Sequence, residues 1–493
     1  MPLPFRSLRT LVTLVGLAAA LGLVACRPGA GTRADGLQPC RLPGVEREIL
    51  CGQVTVAEDP DAPAGRKLDV HFAVVPALAR NAAPDPVFIL AGGPGQAASR
   101  LIGQTLPVFA ELNARRDLVF VDQRGTGRSN PLECPDEGRS LAAMLDPAQQ
   151  MQELKRCLAD LRGDLRQYAT WIATGDLDAV RARLGAAQIN LWGASYGTRA
   201  ALDYLRQYPQ HVRAVVLDGV APPDMALPAS FSIDADASLA ALAAACAADA
   251  RCRERYPAVD ARIGALLARA DAGFDVDVRH PLTGEPQRLH VDRRLLASLL
   301  RIPMYVPTLA AVLPYALASA GGGDFEPLVA LSTAVSGRVQ ENMALGMHFA
   351  VICAEDLPRV GAAELAAVAG THFGTTFVDL YREACAAVAT RAVPEAFYQV
   401  PRTEVPVLVL SGGLDPATPP RHGAAVAERL GNARHVVAPH LGHGLSGQAC
   451  TQRLITRFIR RASFKDLDTD CLEKLPVATF FEPLRAGDSG GSR

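Results

Sequence analysis

Short apolar runs of strand length alternate with helix-period stretches through the first half of the chain. Leu68–Pro76, Val87–Leu90, Leu118–Val121, Ile189–Trp192 and Val212–Leu217 read as strands. Between them, Leu154, Leu158 and Leu161 recur at helical spacing, and Thr198–Tyr208 reads as a helix. Thr174–Leu184 reads as an amphipathic helix with Thr174 or Asp176 near its N-cap. Strands alternating with helices predict a mostly parallel sheet with helices on both faces. That rhythm stops near Gly219. Residues 237–250, 259–270, 293–300 and 308–320 are helical by pattern, and only about 274–291 looks like a strand pair. Strands return at 405–410 and 433–438, and a last helix follows at 452–461. The expected class is therefore α/β, with a large, mainly helical insertion inside one sheet domain. Its boundaries are read as core at 39–222, helical cap at 223–402, the second part of the core at 403–484 and a polar tail at 485–493.

The N-terminus has a different pattern. Arg6 and Arg9 precede Leu11–Ala25, a run without charge. It is shorter than the about 20 residues a membrane-spanning helix needs. It has the basic and apolar regions of a secretory signal. The run ends Leu23-Val24-Ala25-Cys26, which resembles a bacterial lipobox and implies cleavage before Cys26 and lipidation of its thiol. Residues 1–26 are thus read as a lipoprotein signal peptide and 27–38 as a tether. No later stretch is read as a membrane span. The chain has 11 cysteines, and setting Cys26 aside leaves an even number. An exported chain favours disulfides. Pairing each cysteine with its neighbour gives Cys40–Cys51, Cys134–Cys157, Cys246–Cys252, Cys353–Cys385 and Cys450–Cys471. Spacing alone does not fix this connectivity.

Composition excludes two classes. With 49% hydrophobic residues, the chain is not of a disordered type. With 50 Lys+Arg against 51 Asp+Glu, it lacks the basic surplus that a nucleic-acid binder uses to neutralise phosphates.

The candidate chemistry centres on Gly193-Ala194-Ser195-Tyr196-Gly197, a G-x-S-x-G sequence with a strand before it and a helix after it. A serine hydroxyl needs an adjacent base to act as a nucleophile near neutral pH. The expected chain order is serine, acid, histidine. Asp415 follows the 405–410 strand, and His443 follows the next one, in His440-Leu-Gly-His443-Gly444. Asp218 is a rival acid and His440 a rival base, while His422 and His435 are read as surface residues. Ala91-Gly92-Gly93-Pro94-Gly95 follows the 87–90 strand. There a Gly93 N–H joins that of Tyr196 as a candidate oxyanion hole. Asp122 and Arg124, in Asp122-Gln-Arg-Gly-Thr-Gly-Arg-Ser129, are read as braces for the site loops.

Taken together, Gly92-Gly-Pro-Gly95, Asp122–Ser129 and Gly193–Gly197 resemble the prolyl aminopeptidase group of α/β-hydrolases. With Cys51-Gly52-Gln53-Val54 before the sheet, the chain is similar to the secreted tripeptidyl-aminopeptidase-like branch. The resemblance covers about residues 40–475. It implies an α/β-hydrolase fold and a Ser195, Asp415, His443 triad beneath the cap. The implied activity is removal of short N-terminal units from peptides, without metal or organic cofactor. One position departs from the group: Ala91 stands where its members usually carry a histidine before Gly-Gly-Pro-Gly, which separates this chain from close prolyl specificity. Selection of a free N-terminus implies a cap carboxylate for the ammonium. Glu355, Asp356 and Glu341 are the candidates, with Glu355 first because Cys353 could pin it. The apolar run Leu295–Val306 is read first as cap core and second as pocket lining. The expected partners are a peptide substrate and a membrane reached through the lipid anchor, with the chain a monomer. Two rival readings stay open: an esterase or other acyl hydrolase on the same triad, and a non-catalytic envelope protein on a hydrolase scaffold.

Overall fold

The computed structural model describes residues 36–134, 141–340 and 343–483. Cys26, the signal peptide read at 1–26, residues 27–35 of the tether read at 27–38 and the tail read at 485–493 lie outside them, as does Glu341.

Among the described residues eleven strands are formed: β1 Gln38–Cys40, β2 Ile49–Ala57, β3 Lys67–Val75, β4 Val87–Leu90, β5 Leu118–Val121, β6 Ile189–Ala194, β7 Val212–Asp218, β8 Phe274–Arg279, β9 Pro286–Val291, β10 Thr403–Gly412 and β11 Gly431–Ala438. All but β8 and β9 build one sheet, in the order β1-β2-β3-β5-β4-β6-β7-β10-β11. The first four neighbours pair antiparallel and the rest run parallel.

Alternate side chains along each strand feed two separate cores. On one face Ile89, Phe120, Val216 and Leu410 pack beneath the C-terminal helix Ala449–Arg461. On the other Phe88, Val119, Val215 and Val409 pack against helices Thr170–Arg183 and Tyr196–Gln207. Burial on both faces explains the near-continuous apolar runs of β4, β5 and β7.

A third core lies in the insertion. It joins helices Leu227–Ala248, Val259–Asp271, Arg293–Arg301 and Thr376–Cys385 with the β8–β9 hairpin. Leu227–Ala248 is long and apolar enough to cross a bilayer by composition. Here it lies across the core: its Asp234 pairs with Arg421 and His422, and its Ser238 hydroxyl donates to the Asp415 carbonyl. All five neighbour pairings of cysteine form disulfides, with Cα–Cα separations from 5.1 to 6.0 Å.

One cap assignment is corrected. The helix begins at Thr170, so Thr174 and Asp176 lie inside it. Both are buried polar groups with tertiary partners. Thr174 Oγ1 is 2.6 Å from the Asp203 carboxylate, and Asp176 takes a two-pronged bond from Arg124.

Candidate active site

Six strand ends deliver the site at one edge of the sheet, as open parallel sheets do. At the end of β6 the chain turns into helix Tyr196–Gln207 through Ser195, whose backbone is held at φ 54°, ψ −125°. A non-glycine residue there is strained, and the surroundings fix it. Ser195 N donates to Asp218 O at 2.9 Å, and the Ser195 carbonyl accepts from Thr198 Oγ1 at 2.6 Å. Gly193 and Gly197 are required by space: a Cβ on either would sit 2.3 or 2.2 Å from a backbone carbonyl oxygen.

Asp415, just past β10, is fully buried and accepts the Ala417 and Thr418 N–H groups at 2.8 and 2.9 Å. His443, in the loop after β11, places Nδ1 2.9 and 3.0 Å from the two Asp415 oxygens. Thr418 Oγ1 donates to Asp415 at 2.7 Å and lies 3.2 Å from the same ring nitrogen. Burial works against ionising Asp415, but the His443 charge and the hydrogen bonds outweigh it and hold the carboxyl below its usual range. Burial likewise opposes the His443 imidazolium. Asp415, helped by Asp218, prevails and lifts His443 above its ordinary value. All the ring's hydrogen bonds among the described residues are at Nδ1, which leaves Nε2 with a lone pair for a proton. The His443 ring and Ser195 approach the same strand end: Gly219, which follows the Asp218 that holds Ser195 N, would place a Cβ 3.5 Å from the His443 ring.

The rivals have other duties. Asp218 accepts Leu445 N, Ser446 N and the Ser446 hydroxyl, and so anchors the loop that follows His443. Burial raises its pKa, against those donors. His422 is buried against Asp234, and His435 is part-buried against Ser411 Oγ at 3.0 Å, so neither is a surface residue as expected. Both fill polar gaps that the sequence pattern does not display.

Gly92 lies over the nucleophile, with its Cβ direction 3.3 Å from Ser195 Cβ. Gly93 adopts φ 111°, accessible to glycine. Neither the Gly93 nor the Tyr196 N–H has a hydrogen-bond partner among the described residues. The cap clamps this loop: Ala344 N donates to Gly95 O at 2.9 Å, and His348 Nδ1 lies 3.0 Å from Pro94 O. Desolvation lowers the His348 pKa to about 4, so the ring is neutral and donates this bond, while Tyr381 OH serves its other nitrogen at 2.8 Å.

Asp122 and Arg124 are braces. Asp122 accepts Ser99 N, Ser99 Oγ and Arg128 N, whereas Arg124 ties Asp176 to the Glu58 and Gln167 carbonyls.

The described cap carboxylates expected at an amine site, Glu355 and Asp356, both have partners within the chain. Asp356 is held by both arms of Arg199 at 2.8 Å and by Leu227 N. Glu355 accepts Thr170 N, Thr170 Oγ1 and Arg199. Cys353 does pin this turn through its disulfide to Cys385. In the π-helical segment Ile352–Asp356 both carboxylates contact Arg199. Burial pushes Glu355 up to about 7, with Arg199 opposing and Asp356 adding to the rise.

Three participants escaped the sequence reading. Thr418 had a signal in its spacing from Asp415, an Asp-x-x-Thr turn pattern. Tyr305 had one only as a member of the Leu295–Val306 run, whose second reading was pocket lining: its carbonyl accepts His443 N at 3.3 Å, and its ring meets the imidazole edge-on at 5.1 Å. The Leu295–Val306 run is therefore cap core up to Met304 and reaches the site at Tyr305. Arg199, hidden in the helix after the serine, anchors the cap acids.

Comparison with known proteins agrees with this arrangement. Residues 85–252 match the family described as alpha/beta hydrolase fold, and residues 370–471 match the TAP-like protein family. Serine protease Hip1 of Mycobacterium tuberculosis is 30% identical over 251 residues, covering 44% of this chain and 47% of that protein. Tripeptidyl aminopeptidase of Streptomyces lividans is 30% identical over 194 residues, 36% of each chain. Proline iminopeptidase of Neisseria gonorrhoeae is 28% identical over 135 residues, 27% of this chain and 32% of its own. The chain thus spans less than half the length of these curated relatives. With one matched segment carrying Ser195 and the other Asp415 and His443, on a mostly parallel sheet interrupted by a helical insertion, the chain has the α/β-hydrolase fold and is similar to the TAP-like proteins over its C-terminal segment.

Proposed function

We propose that the chain is an exported serine exopeptidase that releases short N-terminal units, an amino acid, dipeptide or tripeptide, from peptides. The observation that carries this reading is the Asp415–His443 pair, with Nε2 unengaged, at the strand end that holds the strained Ser195. Ser195 Oγ attacks the scissile carbonyl as His443 Nε2 takes its proton. Asp415 keeps the proton on Nδ1 and stabilises the imidazolium. The Gly93 and Tyr196 N–H groups receive the developing oxyanion. His443 then protonates the leaving amine, and water, activated by the same ring, hydrolyses the acyl-enzyme. The names of the relatives, a serine protease, a tripeptidyl aminopeptidase and a proline iminopeptidase, support a peptide substrate. The five disulfides support export. Cys26 is the proposed lipid attachment point, tethering a monomeric enzyme at the periplasmic face or the cell surface.

One observation favours a second reading, an esterase. The described candidate amine-binding carboxylates, Glu355 and Asp356, are consumed by Arg199 and Thr170. Free-amine amino-acyl, dipeptidyl and tripeptidyl chromogenic amides, their N-acetylated forms and simple acyl esters separate the two. The proposal expects Ser195-dependent cleavage of free-amine amides, with blocked ones spared. Ester cleavage alone would replace it with the esterase. No Ser195-dependent turnover would leave a non-catalytic scaffold.

A further inference from the structure

Arg301 ends the cap helix Arg293–Arg301, one turn before Tyr305. Its guanidinium lies over the Phe231 ring at 4.0 Å, with the Tyr305 and Phe377 rings at 5.1 and 5.7 Å. One arm, Nη2, donates to Tyr305 OH. Nε is buried without a partner, and Nη1 has none among the described residues. No described carboxylate pairs with it, whereas the buried arginines Arg116, Arg124 and Arg199 each have at least one. Its charge is felt at His443, where it opposes protonation. A part-buried guanidinium with unmatched donors, the buried Nε among them, suits the planar, two-pronged geometry of a carboxylate.

The position of His443 gives this arginine a direction. A histidine that protonates the leaving amine stands on the leaving-group side of the scissile bond. Tyr305 packs on that histidine, and Arg301 is bonded to Tyr305. We infer that Arg301 is an anion subsite on the leaving-group side, which binds a carboxylate of the peptide beyond the cut bond. The inference rests on the peptidase reading above. Two sources carry that chemistry: the free C-terminus of a short peptide, and an acidic side chain just after the scissile bond. The aromatic cage holds the guanidinium in place, so little side-chain freedom is lost when the carboxylate arrives.

The test compares matched substrates. One pair is a short alanine peptide and its C-terminal amide. The other carries Glu or Gln directly after the cut bond, with the C-terminus amidated in both. Wild type, Arg301→Met and Arg301→Lys are assayed on all four. The methionine keeps an unbranched stem against Phe231 and removes the charge. The expected result is a preference of wild type for the anionic member of at least one pair, about 10- to 100-fold in kcat/KM and expressed in KM. Arg301→Met abolishes that preference and keeps turnover of the neutral members, and Arg301→Lys retains part of it. Whichever pair shows the preference identifies the source of the carboxylate. Equal rates for both members of both pairs in wild type would overturn the subsite while leaving the peptidase standing. So would an equal loss on neutral and anionic substrates in Arg301→Met, which marks a prop for Tyr305 and His443. Absence of turnover on all four would overturn the peptidase reading, and the subsite with it.

Discussion

Two fully buried carboxylates, Asp415 in the core and Glu355 in the cap, are driven in opposite directions. Burial penalises the charged form of both. Asp415 faces a histidine whose charge appears when needed, together with two backbone N–H groups, and stays ionised. Glu355 shares one arginine with Asp356, a second acid that is better placed, and rises to about 7. The first arrangement leaves a proton acceptor at Nε2 for chemistry. The second uses its charges to fasten cap to core. A buried acid near a nucleophile is therefore not by itself a substrate site; its partners decide.

The sharpest way to break this comparison is at the nucleophile. Ser195→Ala should lower kcat by about 10⁶-fold with an unchanged melting temperature. Asp415→Asn should cost about 10⁴-fold, because the amide selects the wrong imidazole tautomer. On the other side, Arg199→Met should leave two buried acids without their cation and destabilise the fold by about 3–5 kcal/mol, read by denaturant melts. A loss of activity without loss of stability there would reverse the assigned roles.

Proton linkage supplies two finer tests. His443 must be neutral to accept a proton, and its pKa is raised, so the acid limb of kcat/KM should lie above the ordinary histidine value of 6.5. Glu355 binds its proton more tightly folded than unfolded. Its contribution to stability is full below about 4.5 and is lost as pH rises towards about 7. Glu355→Gln should flatten the melting temperature across that window. Smallest of all, Thr418→Ala should cost about tenfold in kcat, since it removes one of several bonds that orient Asp415 and His443.

The parallel part of the sheet was legible because both its faces are buried, so β4, β5, β6, β7 and β10 announce themselves as apolar runs, whereas the more exposed β1 and β2 were not read as strands. The serine turn was legible because sterics demand glycine at 193 and 197. Asp415 and His443 follow strands in the expected order, and the structure joins them. The cap side of the site was not legible. Tyr305 reaches His443 through a backbone carbonyl and a ring edge, and Arg301 is defined by the carboxylate it lacks. Neither property has a sequence period. The pairing of Glu355 was not legible either, because its partner, Arg199, lies far away in sequence on a helix of the core.

The central claim is that His443, oriented by Asp415, activates Ser195. A fluorophosphonate that labels activated serines, followed by peptide mass mapping, tests it without any knowledge of the natural substrate. The account predicts one adduct, on Ser195, formed rapidly in wild type and slowed by orders of magnitude in both His443→Ala and Asp415→Asn. Labelling at another serine, or labelling of Ser195 at the same rate in all three proteins, would contradict it.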